Sequence, residues 1–301
     1  MSKWERALAR LFMEWAADVD TIPVAAIARY VETNDVEGLI AAINTKPKLW
    51  IDKFPLIAIE AGNMAVDHLR GKGEFAKAAK VRRSPTFSIT RQSAAEKLRN
   101  QTTRALERIE SEQRKVITET IARGVEEGKR PRDIAVQIKR NLPLTSKQER
   151  AVANYEWSLR TGNKDALRRE LRDKRFDRTV AGDKVLTNEQ IDKMVAGYRR
   201  KMVSYRAKTI AQTEAHGAIN WARHETAKQS ASDQDMIKTW ITRRDVDVRD
   251  SHESIDDQKR GLDEPFVAPS GALLLTPGDT SLGATAGEVV NCRCFVDYSV
   301  G

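Results

Sequence analysis

The only two cysteines of this 301-residue chain stand one residue apart, in Asn291-Cys292-Arg293-Cys294-Phe295. Two thiolates at that spacing are soft donors for a structural zinc ion, with His252 as a third ligand and Asp279 or a helix histidine as a fourth. The usual zinc signature is a pair of Cys-x-x-Cys knuckles, so a second reading stands beside the first: two small apolar side chains on one strand face. Residues i and i+2 of a strand point the same way but are badly placed to bond each other. That argues against a disulfide and for a reducing compartment.

A second concentration of chemistry runs through Asp245-Val246-Asp247-Val248-Arg249-Asp250-Ser251-His252 to Asp256-Asp257. A histidine among carboxylates can act as a general base, and the acids can hold a divalent metal. One reading is therefore a metal-dependent hydrolase or nuclease built on His252, Asp247, Asp279, Cys292 and Cys294. No nucleophile motif, glycine-rich phosphate loop or His-Glu-x-x-His pair accompanies it. Without catalysis, the segment reads as a turn-rich loop whose Asp side chains satisfy their own backbone while Arg249 pairs internally. His216, Asn220 and His224 follow at four-residue steps beside Glu214, a helix face suited to capping the C-terminal region. Basic residues crowd at Arg168-Arg169, Arg172, Lys174-Arg175 and Arg199-Arg200-Lys201, where phosphate neutralisation and plain solvation compete as explanations.

Two unlike regions must position these groups. From Trp240 to Gly301 six Lys or Arg face eleven Asp or Glu, a net charge of −5, so the +9 of the whole chain leaves +14 on the first 239 residues. A boundary is expected between about Gln229 and Ile237. The first region has helical periodicity nearly throughout. Trp4, Leu8, Leu11, Phe12, Trp15 and Val19 form one stripe, either a partner-binding arm or core packing, in a helix that must stop before Pro23. Helices are expected over Val24 to Tyr30, Val36 to Asn44, Pro55 to Leu69 and Gln92 to Glu127. Gly128 suits the left-handed residue after the last of these, and Pro131 the first turn of the next. Thr145-x-x-Gln148 and Ser146-x-x-Glu149 are alternative capping boxes. Asn188 is the expected cap of a long helix with the stripe Ile191, Val195, Tyr198, Met202, Tyr205 and Ile210.

After Met236 the pattern changes to short alternating pieces, with strands expected over Ile237 to Thr242 and Val289 to Asp297 and a weaker one over Ala272 to Thr276. The expected fold class is α+β: an extended, mainly helical N-terminal body with a small C-terminal α+β module of short strands and turns. Its divisions are a helical region 1–140, a basic helical segment 141–235 and an acidic, turn-rich module 236–301. No apolar run reaches the roughly 18 to 20 residues of a spanning helix. The start carries Glu5, Arg6, Glu14 and Asp18 where a secretory signal would be apolar, so the chain is expected to act in the compartment that makes it.

The linear order of these features is more specific than any one of them. Tyr205-Arg206-Ala207-Lys208-Thr209-Ile210-Ala211-Gln212-Thr213-Glu214-Ala215-His216 resembles the "RA-x-TIA-R-TE" helix of the phage Mu F-like head morphogenesis family. Lys238-Thr239-Trp240, Asp247-Val248-Arg249-Asp250-Ser251-His252, Phe266, Pro277-Gly278-Asp279 and Asn291-Cys292-Arg293-Cys294 follow at matching distances. Two departures are Gln212, where the family commonly has Arg, and Asp256-Asp257-Gln258, where it often has Gly after an Asp. The resemblance covers about Thr145 to Val296. It implies a non-enzymatic, low-copy minor capsid protein of a tailed phage, which joins the procapsid beside portal, scaffold or major capsid protein. Such a protein would assemble in the host cytoplasm and lie inside the virion head, with no membrane partner. The physical reading is compatible: Arg168, Arg169, Arg172, Lys174, Arg175, Arg199, Arg200 and Lys201 could meet double-stranded DNA while the acidic module faces protein.

Overall fold

The computed structural model describes residues 3–43, 48–71, 87–88, 92–182, 185–230 and 236–300. They form a mainly helical body followed by a small C-terminal α+β module. At the start, α1 (Lys3–Thr21), α2 (Val24–Glu32) and α3 (Val36–Ile43) follow the apolar spacing. The first ends before Pro23, whose ring and missing N–H exclude a further turn. Along its stripe Leu8, Phe12 and Val19 are buried, with Trp4, Leu11 and Trp15 half-buried beside them, so the stripe packs on the protein's own core. Helix α4 (Lys48–Gly71) begins seven residues before Pro55 and carries that proline in its interior, a correction to the expected start. The helix runs through Pro55 although its ring removes one N–H donor from the ladder.

Helix α5 (Gln92–Glu126) ends just before Gly128, whose φ of +65° is the left-handed turn expected there. Pro131 opens α6 (Pro131–Asn141). Of the two candidate boxes, Thr145 caps α7 (Ser146–Arg160): its hydroxyl accepts from the Gln148 N–H at 3.2 Å, and Gln148 Oε1 accepts from the Thr145 N–H at 3.1 Å. Two 3-10 turns and the short α8 (Asp177–Ala181) lead into α9 (Asn188–Ser230), 43 residues long. Its cap is Thr187 and not Asn188. The Thr187 hydroxyl accepts from the Gln190 N–H at 3.2 Å while Gln190 Oε1 accepts from the Thr187 N–H at 2.9 Å. Such a box satisfies two backbone donors where a lone asparagine satisfies one.

Along α9, Ile191, Val195, Tyr198 and Met202 are buried, but the expected stripe breaks at Tyr205, which is 48% exposed. Ala207, Ala211, Ala215, Ala218 and Ala222 take over the buried side. From Ala211 to Ser230 only Gln212 is exposed, so this stretch is enclosed on most of its circumference. Small side chains let neighbouring backbone approach that closely.

The chain divides into two compact units. One comprises Ala9–Lys46 and Glu107–Lys208, with apolar clusters around Ile27, Leu39, Ile117 and Ile134 and around Val152, Tyr155, Ile191 and Tyr198. The other comprises Met1–Leu8, Pro47–Leu106 and Thr209–Gly301. In it β1 (Met236–Ile241) lies between β2 (Lys259–Gly261) and β5 (Phe295–Val300), both antiparallel to it, with Trp240 opposite Val296. A separate pair joins β3 (Phe266–Val267) to β4 (Leu273–Leu274). Single turns α10 (Asp250–Glu253) and α11 (Ala286–Val289) lie in the connections.

The strand expected from Val289 starts only at Phe295. Val289 closes α11, and Asn291 has a φ of +56°, which turns the backbone away from extension. Cys292 and Cys294 therefore lie in a loop and not on a strand face. No helix among the described residues is long and apolar enough to cross a membrane.

Candidate metal centre

The loop before β5 carries the two cysteines to the histidine of α10. His252 Nδ1 lies 3.6 Å from Cys292 Sγ and 3.5 Å from Cys294 Sγ, and the three donor atoms all lie within 4.8 Å of one another. The three side chains are 1%, 4% and 3% exposed. Within the cysteine pair, the hydrogen bond from the Cys294 thiol pulls Cys292 below the ordinary thiol range and pushes Cys294 above it, with burial adding to the rise. Trp240, fully buried, stands edge-on to His252 at 5.2 Å and to Phe266 at 5.2 Å, forming an apolar wall.

On the other side of the imidazole, Nε2 lies 3.0 Å from Glu288 Oε2, an ion-pair approach outside good hydrogen-bond alignment. Ser251 Oγ donates to Glu288 Oε2 at 3.0 Å and Ser270 Oγ donates to Oε1 at 2.7 Å. Burial works against the charge of this carboxylate, but the hydrogen bonds from Ser270 and Ser251 and the nearby His252 outweigh it and hold the group below its usual range. Nothing in the sequence singled out Glu288 as the carboxylate that reaches His252, because 36 residues separate them and no spacing rule links two turns of different loops.

Helix α9 anchors the cysteine loop. The Asn291 N–H donates to Thr213 Oγ1 at 3.1 Å, His216 Nε2 lies 2.7 Å from the Cys294 carbonyl oxygen, and Asn220 Nδ2 donates to the same oxygen at 3.3 Å. The four-residue spacing of His216 and Asn220 thus serves the capping suggested by the sequence. From the opposite direction, the Arg249 guanidinium donates to the Val290 carbonyl. Pro277 is buried, and Gly278 beside it has a φ of +85°; a Cβ there would meet Gly217 Cα of α9 at 3.0 Å. Two glycines therefore let the loop lie directly against the helix.

With this geometry in view, the comparison with known families is decisive. Residues 115–297 match the family described as Phage Mu protein F like protein. The chain belongs to this phage head morphogenesis family. The matched region contains all of α9 and the whole His252–Cys292–Cys294 cluster. No curated protein and no solved structure matches the chain.

In this Mu F-like protein the remaining motif residues brace the loops. Arg293 pairs with Asp245 at 2.6 Å and with Asp247 at 3.3 Å. Asp279 accepts from the backbone N–H groups of Leu275 and Ser281 at 3.2 and 2.8 Å and from the Ser281 hydroxyl at 2.8 Å. Glu214 is buried. Asp247 and Asp279 are thus engaged with an arginine and a turn, and neither belongs to the described donor group formed by His252, Cys292 and Cys294. Arg244 bridges Asp256 at 2.7 Å and Asp257 at 2.8 Å, as expected of a loop that satisfies its own charges.

The basic residues divide by exposure. Arg168, Lys174, Arg175, Arg200 and Lys201 are exposed and Arg169 is half-buried. Arg172 pairs with Asp177 at 2.8 Å. Arg199 turns inward, donating to the Arg140 carbonyl at 3.0 Å and to Asn141 Oδ1 at 2.9 Å; burial, with Arg140 beside it, brings its guanidinium down to about 10.

Proposed function

We propose that this protein is a minor head protein of a tailed phage, built into the procapsid beside the portal, with its basic helical unit in contact with packaged DNA. The family match over residues 115–297 carries the reading. The split of charge supports its orientation: a basic body would meet the anionic lattice and the acidic C-terminal module would meet head proteins. The surface offered to DNA is Arg168, Lys174, Arg175, Arg200 and Lys201, without Arg199. Arg168 and Arg175 pair with Asp165 and Asp173, but their side chains remain 86% and 84% exposed, and surface pairs of this kind are weak enough for phosphate to displace.

Double-stranded DNA binding by the full chain should fall with salt. About five phosphate contacts give a slope near −4.5 for log affinity against log salt concentration. Replacing Arg200 and Lys201 together with glutamine should flatten the slope by about two. Binding that is absent at low salt, or insensitive to both salt and these substitutions, removes the DNA contact. Crosslinking in isolated procapsids should join the acidic module to portal, scaffold or major capsid protein, and a protein absent from procapsids refutes the head assignment.

A further inference from the structure

The imidazole of His252 is engaged on both sides, by a carboxylate at Nε2 and by two sulfurs at Nδ1. Glu288, a carboxylate held by Ser251 and Ser270, faces Nε2 and favours the tautomer with its hydrogen there. That leaves Nδ1 with a single lone pair. Two buried sulfurs approach that one lone pair, at 3.5 and 3.6 Å, and the three donor atoms all lie within 4.8 Å of one another. This is the spacing of ligands around a tetrahedral cation: with metal–sulfur and metal–nitrogen distances of about 2.3 and 2.0–2.1 Å, adjacent sulfur and nitrogen ligands stand about 3.6 Å apart.

We propose that His252 Nδ1, Cys292 Sγ and Cys294 Sγ bind one zinc ion, with Glu288 as the carboxylate that orients the histidine. Carboxylate–histidine–metal triads use this pairing of one ring nitrogen with the metal and the other with an acid. The fourth position lies towards an open pocket bordered by Cys292, His216, Gln212 and Arg293, which also supplies a route for the ion from solvent. His216 also lines this pocket but is not one of the three clustered donors, which leaves the fourth position to solvent. The ion would tie α10 to the loop before β5, two segments that the hydrogen bonds of the three-stranded sheet do not join directly. A small module with so little sheet gains from such a staple.

The test uses the full chain, purified and then loaded with Zn²⁺ alone. One zinc per chain is expected, with X-ray absorption showing two sulfurs at about 2.3 Å and nitrogen at about 2.0 Å. Co²⁺ in its place should give the visible bands of a tetrahedral thiolate site. Cys292→Ser, Cys294→Ser and His252→Gln should each abolish stoichiometric loading. Glu288→Gln should retain the two-sulfur spectrum while weakening affinity about 10- to 100-fold. Should the ligand variants fail to fold, the wild type still decides: both thiols should be unreactive when loaded and reactive after chelation. A chain that takes up no zinc, a zinc spectrum without sulfur, or thiols equally reactive with and without zinc overturns the proposal.

Discussion

Lys238 occupies an unusual place for a cation, on the core-facing side of β1 between Met236 and Trp240, with 0% of its surface exposed. Its Nζ donates at 2.9 Å to the carbonyls of Leu262 and Leu275 and lies 5.0 Å from the centre of the Phe266 ring. Burial pushes its ammonium down from 10.5 to about 8, despite the opposing pull of Asp263, Asp279 and Glu264. The folded protein therefore binds this proton less tightly than the unfolded chain does. Stability is penalised below the folded value and recovered as pH rises from about 8 to about 10.5. The whole gap corresponds to about 3 kcal/mol. Losing the proton breaks neither hydrogen bond, since a neutral amine keeps two N–H donors for two carbonyls. Lys238→Met removes the titration and strands both carbonyls, at about 1–3 kcal/mol each, partly offset by relief of the buried charge. Near neutral pH the two proteins should thus differ modestly, and at pH about 10 the wild type should have gained up to about 3 kcal/mol on the variant. Denaturant unfolding of both proteins across this range measures the difference, in which titrations common to the two, such as that of buried Tyr298, cancel. A difference that stays flat with pH refutes the claim that burial weakens proton binding at Lys238.

Gly278→Ala should destabilise the protein by about 1–3 kcal/mol, because a left-handed φ and a Cβ 3.0 Å from Gly217 Cα allow neither the residue nor its neighbour to relax. A thermal midpoint equal to the wild type's would show that the loop does not lie against α9. Arg206 is 4% exposed, its guanidinium is brought down to about 10 by burial, and it stacks over Phe12 at 5.5 Å with Nη1 lacking a partner among the described residues. Arg206→Met keeps the length of the side chain without the buried charge, so unfolding should show neutral to about 2 kcal/mol greater stability. A clear loss would show that stacking and charge outweigh desolvation.

The sequence revealed what local rules govern. Pro23, Gly128, Pro131 and the Thr145 box marked helix ends because a missing N–H, a positive φ or a reciprocal cap acts within four residues. The same rules identify Thr187-x-x-Gln190, yet Asn188 draws the eye because asparagine is the stronger cap in isolation. Strands β2 and β3, three and two residues long, are too short to show alternation, whereas β4 falls within the weaker strand expected over Ala272 to Thr276; the pairing of all three depends on partners distant in the chain. That His252, Cys292 and Cys294 come together was legible from chemistry alone. Their support was not: Glu288, Ser251 and Ser270 form an ordinary scatter of polar residues until the loops fold.

The ordered family motif has a physical reading once its members are traced to what they touch. Thr213 and His216 hold the two ends of the Asn291–Cys294 loop, Arg249 holds its entrance at Val290, and Arg293 ties it to Asp245 and Asp247. Trp240 walls the cluster that the loop delivers, and Gly278 sets a second loop against the same helix. Residues from Thr213 to Cys294 thus converge on one short loop whose backbone, lacking a strand of its own, needs every partner it is given. This explains why the motif is a long ordered set and not a compact signature: α9 presents one polar face, and each later segment must return to it. It also separates the two kinds of evidence about function. The convergence accounts for a folded module with His252, Cys292 and Cys294 at its centre, whereas the exposed basic residues of the helical unit take no part in it. Substitutions that remove the proposed DNA contact should therefore leave the His252–Cys292–Cys294 cluster intact, and substitutions in that cluster should leave Arg200 and Lys201 exposed on a helical surface built from a different core.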